Sequence, residues 1–414
     1  MKELLLIGNG MSTGRLLDEL LKYPVSSEFT ITVVGDESEG SYNRTLLSPL
    51  LADEIDVDLL IKKPVSWYQQ QGIRFIHGVA ERVFRENKTV YLVDGQTLEY
   101  DHLILATGSR PAKTSSVNQH LDNIYNFRTL KDVLMIANKA RVIQHAVVVG
   151  GGLAGLEAAY GLILRGANVT LVHRGDYLLN RQLDQQAGEG LRRVLEHHNI
   201  RFEMDCEVDS FESTGQVVQR AILTNGKAVS CHLVVIATGI TPNKELGEAS
   251  GLDCGVAIRV NDFMTSSDDS ISAIGECCEH AGITFGMVEP IWLQCKILAS
   301  KLAGKVITRF QMPAVATTLQ VSGVDVFSAG DHTTTGAHRT LIFTDPASYV
   351  YRKLLLKKDR IVGIVLLGDT RDGQYYFELM QKRVNVSKVA DILIFGRDFF
   401  DLESLLEANQ FDRV

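Results

Sequence analysis

Two apolar runs in this chain each stop at a cluster of glycines and restart as a helix. Leu4-Leu5-Leu6-Ile7 ends at Gly8-Asn9-Gly10, and Leu16, Leu17, Leu20 and Leu21 follow at helical spacing. Ala146-Val147-Val148-Val149 ends at Gly150-Gly151-Gly152-Leu153-Ala154-Gly155, and a Leu- and Ala-rich helix follows. A strand that turns at once into a helix opens a βαβ unit, because the next parallel strand can be reached only by a crossover. Residues 30–34 and 169–172 supply those next strands. Leu103-Ile104-Leu105 and Val234-Val235-Ile236 then run into identical turns, Ala106-Thr107-Gly108 and Ala237-Thr238-Gly239, and read as matched closing strands of the two units.

From about residue 311 the texture changes to alternating segments, among them 317–322, 324–328, 349–355 and 361–367, with Lys357-Lys358-Asp359-Arg360 as a turn. This predicts an antiparallel sheet. Residues 371–393 read as helical in part, and 402–408 has helical periodicity. The fold class is α/β: two Rossmann-like, three-layer nucleotide-binding domains followed by a C-terminal α+β domain. Boundaries are expected at 1–112 with 236–310 for the first domain, 113–235 for the second and 311–414 for the third. A chain of 414 residues, 45% hydrophobic, is long enough for two to four such cores.

The formal charge of −8 argues against broad affinity for nucleic acid or an anionic membrane. The apolar run at the N-terminus is too short for a signal core or a membrane span. Six cysteines lie at 206, 231, 254, 277, 278 and 295, without metal-ligand spacing, so no built-in metal is expected and a cytoplasmic, reduced setting is. Vicinal Cys277-Cys278 reads as Cys277 packed beside a cofactor and Cys278 buried, rather than as a disulfide, His197-His198 as exposed, and Trp292 as packed either in the core or beside a cofactor.

Gly8 and Gly10 occupy the first two positions of a dinucleotide fingerprint: one for the tight turn, one for close approach of a pyrophosphate to a helix N-terminus. Thr13 holds the third position with Gly14 beside it; its hydroxyl could bond a phosphate or cap the helix. Asp36 or Glu37, at the end of the second strand, would accept hydrogen bonds from a ribose, or else be a solvated turn. In the second unit Gly150, Gly152 and Gly155 fill all three positions and Glu157 follows on the helix. His173 and Arg174 stand where a ribose-reading acid would be, and an arginine there accommodates the 2′-phosphate of NADPH, which leaves NADH and NADPH both open.

These residues resemble the pyridine nucleotide-dependent flavoprotein reductases, over almost the whole chain. The resemblance implies that the first unit binds FAD, the second binds NADH or NADPH, and the C-terminal domain forms an interface, with a monomer and a homodimer both open. The segment 265–280, with Gly275-Glu276-Cys277, is similar to the family's second FAD motif, and Glu276 stands where many relatives carry Asp to meet the ribityl chain. Tyr42-Asn43-Arg44-Thr45-Leu46-Leu47-Ser48 and residues 321–331 are similar to the flavin module of assimilatory nitrite reductases and of nitrate reductase electron-transfer subunits. Such enzymes continue into iron–sulfur and sirohaem segments, so this stretch alone is not expected to be a complete nitrite reductase. The resemblance also implies catalytic tuning roles for Glu157 near the nicotinamide and Arg44 near the flavin, where a surface salt bridge would explain either residue as well. Residues 36–60 hold no cysteine for a thiol relay. The expected function is transfer of electrons from NAD(P)H through FAD to a separate redox protein of nitrate or nitrite reduction, or to rubredoxin or a ferredoxin. An NAD(P)H oxidase or diaphorase, and a redox-sensing NAD(P)H-binding module, are the competing readings.

Overall fold

The computed structural model describes residues 1–24, 28–305, 308–321 and 323–399. The helix expected at 402–408 lies outside the described residues. Contacts divide the chain into two compact units, one of residues 1–50, 54–112 and 240–313, the other of 51–53, 113–239 and 314–414.

In the first unit a five-stranded parallel sheet runs in the order Ile271–Ala273, His102–Leu105, Lys2–Ile7, Phe29–Gly35, Arg74–His77. Leu6 lies opposite both Val33 and Ile104. Leu4, Leu5 and Leu6 are at most 1% exposed, which explains why this strand reads as an unbroken apolar run: both faces of a parallel sheet are covered. Helix Met11–Leu20 turns Leu16, Leu17 and Leu20 into that core and packs on helix Val288–Leu302. A three-stranded antiparallel sheet, Ala80–Phe84, Thr89–Leu92 and Thr97–Glu99, closes the same core through Val83, Val90, Leu92 and Leu98.

The second unit repeats the plan. Its parallel sheet runs Ile124–Asn126, Leu233–Ile236, His145–Val149, Asn168–Val172, Ile200–Glu203. Helices Leu130–Ala140, Leu153–Leu164 and Gln185–His197 accompany it, and Val208–Thr214, Val217–Leu223 and Ala228–Ser230 form the antiparallel addition. The outer strand beside the closing strand comes late in sequence in the first sheet, 271–273, and early in the second, 124–126. The same position is thus filled from opposite directions along the chain.

The C-terminal sheet is antiparallel, as expected, in the order Ala316–Val321, Val324–Gly330, Arg360–Leu367, Val350–Lys357, Arg339–Asp345. Lys358 and Asp359 both have positive φ, 49° and 55°, the backbone of a primed two-residue hairpin whose twist matches the flanking strands. Arg339–Asp345 is a fifth strand beyond the four read from sequence. The helical segment is Gly373–Gln381 alone, followed by the 3-10 turns Ser387–Val389, Leu393–Phe395 and Arg397–Phe399. Among the described residues no helix is long and apolar enough to cross a membrane.

Candidate functional site

Both glycine turns are built to one design. Gly8 has φ +104° and Gly150 φ +120°, where a side chain is strained. A Cβ on Gly8 would sit 2.2 Å from the Ala106 carbonyl oxygen, and one on Gly150 2.4 Å from that of Ala237. The two Ala-Thr-Gly turns therefore explain the first glycines: each closing strand ends with its carbonyl pressed against the turn. The second glycines answer to something else. Gly10 and Gly152 have ordinary φ, −79° and −86°, and a Cβ on either would meet nothing within 4 Å.

That open space lies at the start of a helix. Gly10 and Gly152 are the N-caps of Met11–Leu20 and Leu153–Leu164, with no side-chain cap and no acidic residue in the first turn. Elsewhere in the molecule Thr129 caps Leu130–Ala140 in a capping box, and Asp184 caps Gln185–His197. A bare helix start offers free N–H groups and the positive end of the helix dipole to an anion. In the first turn Asn9 is 9% exposed; its Oδ1 accepts from Tyr68 Oη at 2.5 Å, while Nδ2 is buried without a hydrogen-bond partner. An open cradle beside an unused amide fits a dinucleotide pyrophosphate.

The third position differs between the units for a visible reason. A Cβ on Gly155 would lie 1.9 Å from the Gly150 carbonyl oxygen. Thr13, at the equivalent place, is fully buried and its hydroxyl donates to the Gly8 carbonyl at 2.6 Å. In this geometry the hydroxyl neither caps the helix nor points to a phosphate; it closes the turn that glycine closes by contact. Gly14 is tight too, its Cβ position lying 2.6 Å from Ser41 Oγ, which itself donates to Gly10 O at 3.2 Å.

Around the first turn the structure separates Asp36 from Glu37. Asp36 is exposed at the end of its strand. Glu37 accepts from Tyr42 Oη at 2.6 Å and from Arg44, whose guanidinium also lies 4.9 Å from the Tyr42 ring centre. Burial opposes charge on Arg44, but Tyr42, Glu37 and Glu276 together hold its guanidinium above the ordinary range. Arg44 is therefore an ion-pair partner of Glu37 and an electrostatic neighbour of Glu276. Glu276 sits in the 3-10 turn Gly275–Cys277 and accepts from Ser109 Oγ at 2.7 Å; the Gly275 N–H donates to Gln294 Oε1 at 2.8 Å.

Asn243, Ser109 and Gln294 escaped the sequence reading. Asn243 clamps the Ala-Thr-Gly turn from both sides: Thr107 Oγ1 donates to its carbonyl and its Nδ2 donates to the Thr107 carbonyl, each at 2.8 Å. Ser109–Pro111 pairs antiparallel with Ile240–Pro242, so the outgoing and returning chain segments form one ribbon. None of the three carries a local motif; a closing turn ending in Ala-Thr-Gly was the available signal that something must hold it.

In the second unit His173 Nδ1 accepts the Gly151 N–H at 3.1 Å, and its Nε2 is buried without a partner. Burial lowers its pKa, so the ring is neutral and serves the turn itself. Arg174, 70% exposed and 3.9 Å from Glu207, is held loosely and can meet a ligand phosphate. Glu157 is half-buried on the helix behind Gly152. Gly239, with φ +115°, ends the second closing turn beyond Thr238 as Gly108, with φ +64°, ends the first.

The remaining singular residues are ordinary. Cys277 and Cys278 are free and fully buried, their Sγ atoms against the carbonyls of Leu105, Ile274 and Gly275, and burial raises both thiols. His197 and His198 are exposed. Trp292 packs under the Arg15 guanidinium, 5.6 Å from the ring centre. Among the described residues no cluster of three or more His, Cys, Asp or Glu could hold a metal ion.

Comparison with known proteins agrees with this geometry. Residues 2–289 match the pyridine nucleotide-disulphide oxidoreductase family, and residues 316–384 match the rubredoxin NAD+ reductase C-terminal domain. The chain is 36% identical to the nitrite reductase [NAD(P)H] of Bacillus subtilis (strain 168), over 95% of this chain and 49% of that protein. It is 34% identical to the assimilatory nitrate reductase electron transfer subunit of the same organism, over 93% and 50% respectively. The chain thus spans about half the length of these relatives. Among solved structures, a chain of the covalent putidaredoxin reductase–putidaredoxin complex superposes with a TM-score of 0.87 at 23% identity, covering 99% of both chains.

Proposed function

The chain belongs to the pyridine nucleotide-disulphide oxidoreductase family; we propose that it is an FAD-dependent NAD(P)H oxidoreductase that passes electrons to a separate redox protein, in nitrate or nitrite reduction. The observation that carries this reading is the pair of bare, glycine-fronted helix starts, one in each unit, each shaped to receive a dinucleotide pyrophosphate. The domain assignment follows: residues 1–112 with 236–310 for FAD, 113–235 for NAD(P)H, and 311–414 as the C-terminal domain.

When bound, FAD accepts two electrons from a nicotinamide and can release them one at a time. The chain's own residues do the positioning. Gly8, Gly10 and Asn9 would cradle the FAD pyrophosphate on Met11–Leu20, with Thr13 and Gly14 keeping the turn closed, and Asp36 would accept from the ribose. Ala106, Thr107 and Gly108 form the wall against Gly8, held by Asn243. Glu276, fixed by Ser109 and by the Gly275–Gln294 bond, would meet the ribityl chain. Arg44, braced by Glu37, places positive charge near it. Gly150, Gly152 and Gly155 would hold the NAD(P)H pyrophosphate, backed by Ala237, Thr238 and Gly239, with His173 shaping the turn, Arg174 at the ribose end and Glu157 toward the nicotinamide. The buried, carbonyl-bonded thiols of Cys277 and Cys278 favour the neutral form and suit packing better than a dithiol relay.

The similarity to the nitrate reductase electron transfer subunit favours a nitrate or nitrite reductase as acceptor. The match of 316–384 to the rubredoxin NAD+ reductase C-terminal domain supports a second reading, rubredoxin or ferredoxin as acceptor. The test is anaerobic reduction of the purified protein with NADH and with NADPH, then timing of flavin reoxidation by each candidate protein beside oxygen. Fast oxidation by one protein acceptor is expected. Useful rates with oxygen or quinones alone would replace this reading with an oxidase or diaphorase.

A further inference from the structure

The chain leaves the first unit after residue 50 and returns to it at 54; the three residues between, Leu51, Ala52 and Asp53, belong with the second unit. There they lie against helix Leu153–Leu164, whose start at Gly152 is the proposed cradle for the NAD(P)H pyrophosphate. Gly161 stands inside that helix, where glycine is a poor helix former. The reason is steric: a Cβ on Gly161 would sit 2.9 Å from Leu51 Cγ and 3.3 Å from the Ala52 amide nitrogen. Leu51, fully buried, fills the notch that the missing side chain leaves. Arg165, the C-cap of the same helix, closes the notch: its Nε donates to the Leu51 carbonyl and its Nη2 to Asp53 Oδ1 at 2.9 Å. Asp53 is 74% exposed, so that ion pair is screened, whereas the Arg165 side chain is 9% exposed and its bond to the carbonyl is the firmer hold.

Leu51 ends the helix Leu47–Leu51, so its carbonyl is one of the oxygens that a helix terminus leaves without a partner inside the helix, and a cation is favoured there. The terminus is itself a set turn. Asp53 has φ +66°, and the Glu54 N–H donates to the Pro49 carbonyl at 3.0 Å, the long bond of a Schellman motif. Two residues given functional roles above meet at this clasp. Glu157, Gly161 and Arg165 recur every four residues and share one face of their helix, so the seat of Leu51 lies about 6 Å along the axis from Glu157. In the other direction the 3-10 turn Arg44–Leu46 runs without a break into Leu47–Leu51, which makes Arg44 and Leu51 the two ends of one helical rod. We propose that Arg165 is a positioning residue for the reduction of the flavin by NAD(P)H: by clasping Leu51 over Gly161, it holds the rod that carries Arg44 in register with the helix face that carries Glu157. The inference rests on the proposed placement of Arg44 near the flavin and of Glu157 toward the nicotinamide.

Two variants loosen the clasp from opposite sides. Arg165→Met removes the donors and keeps the stem; Gly161→Ala pushes Leu51 from its seat while improving the helix, so a loss there is not a folding defect of that helix. In anaerobic stopped-flow on the FAD-loaded protein, the limiting rate of flavin reduction should fall on the order of 10- to 100-fold in each variant, with the Kd for NAD(P)H and for FAD within about twofold of wild type. The double variant should lose little more than the worse single one, because both break one contact. Hydrogen exchange on the FAD-free protein gives a readout independent of turnover: the Glu54 amide, which closes the Schellman turn, should exchange faster in both variants. An unchanged limiting rate in either variant, a rate loss matched by lost affinity for NAD(P)H or FAD, or unchanged Glu54 exchange overturns the proposal. Gly152→Val tests the reading beneath it. If that variant still binds NAD(P)H, the nicotinamide site is misplaced and this inference goes with it. If it loses binding while Arg165→Met and Gly161→Ala are reduced at the wild-type rate, only the role of Arg165 falls.

Discussion

Substitution at Gly10 and at Gly8 should separate cofactor binding from folding. At Gly10 the φ of −79° suits any residue and a Cβ meets no protein atom, so Gly10→Ala should leave the FAD-free fold within about 0.5 kcal/mol of wild type. The same methyl fills the space a pyrophosphate would occupy against the helix start. Losing one or two charge-assisted hydrogen bonds there costs about 3 kcal/mol, or FAD binding weaker by on the order of 100-fold. Gly8→Ala inverts the pattern. Its φ of +104° and the 2.2 Å approach to the Ala106 carbonyl force the closing strand to shift. The expected loss is about 3 kcal/mol or more in the FAD-free protein, a midpoint lower by about 6–12 °C. Both variants are compared as apoproteins, since bound FAD would itself stabilise the fold. Thermal melts give the stability, and quenching of flavin fluorescence on titration gives the affinity. An unchanged FAD affinity in Gly10→Ala, or a Gly8→Ala apoprotein as stable as wild type, would refute the division of labour between the two glycines.

Three further outcomes are expected. Thr13→Val removes the hydroxyl that bonds Gly8 O and should cost about 1–3 kcal/mol of apoprotein stability with FAD affinity nearly intact; loss of affinity alone would mean that the hydroxyl serves the phosphate. Arg174→Glu should lower kcat/KM for NADPH by about tenfold relative to NADH, and an unaltered ratio makes Arg174 a bystander. His102 is half-buried beside Ser272 and its pKa is pushed down to about 4, first by desolvation and then by Lys301 and Lys88. The unfolded chain, titrating near 6.5, binds more protons in the window between, so this contribution is present above about pH 6.5 and is lost as pH falls toward 4. Its size is on the order of 2 kcal/mol. Urea unfolding at pH 7 and pH 4.5 should show a smaller acid loss in His102→Gln than in wild type; equal losses would assign the acid sensitivity elsewhere.

The two parallel sheets were legible because their signals are local: a strand buried on both faces shows as an unbroken apolar run, and a glycine turn marks where it stops. Lys358 and Asp359 were legible for the same reason. What sequence could not show is which atom uses each residue. Thr13 was read with two ligand-side or cap-side options and instead bonds within its turn. Asp36 and Glu37 looked interchangeable until Glu37 was found engaged by Tyr42 and Arg44. Asn243 lies far from Thr107 in the chain, so only tertiary folding reveals the clamp. The strand Arg339–Asp345 went unread because most of its residues are exposed, and exposure erases the alternation that marks a half-buried strand.

The ribbon formed by Ser109–Pro111 and Ile240–Pro242 has a consequence for how such chains can be rebuilt. Pro111 lies opposite Ile240, so the stretch between them leaves and re-enters at a single place. A segment whose ends already meet can be exchanged as a cassette with two cuts, and, on the proposed assignment of 113–235 to NAD(P)H, grafting one from a homologue should transplant its nicotinamide preference in one step. The graft carries one condition. Lys353, 5% exposed, relies on Asp184 at 2.6 Å, and Tyr351 donates to the same carboxylate at 2.8 Å. An incoming cassette without an acid at that place would strand a buried cation, so chimaeras that keep Asp184 should be the ones that express folded.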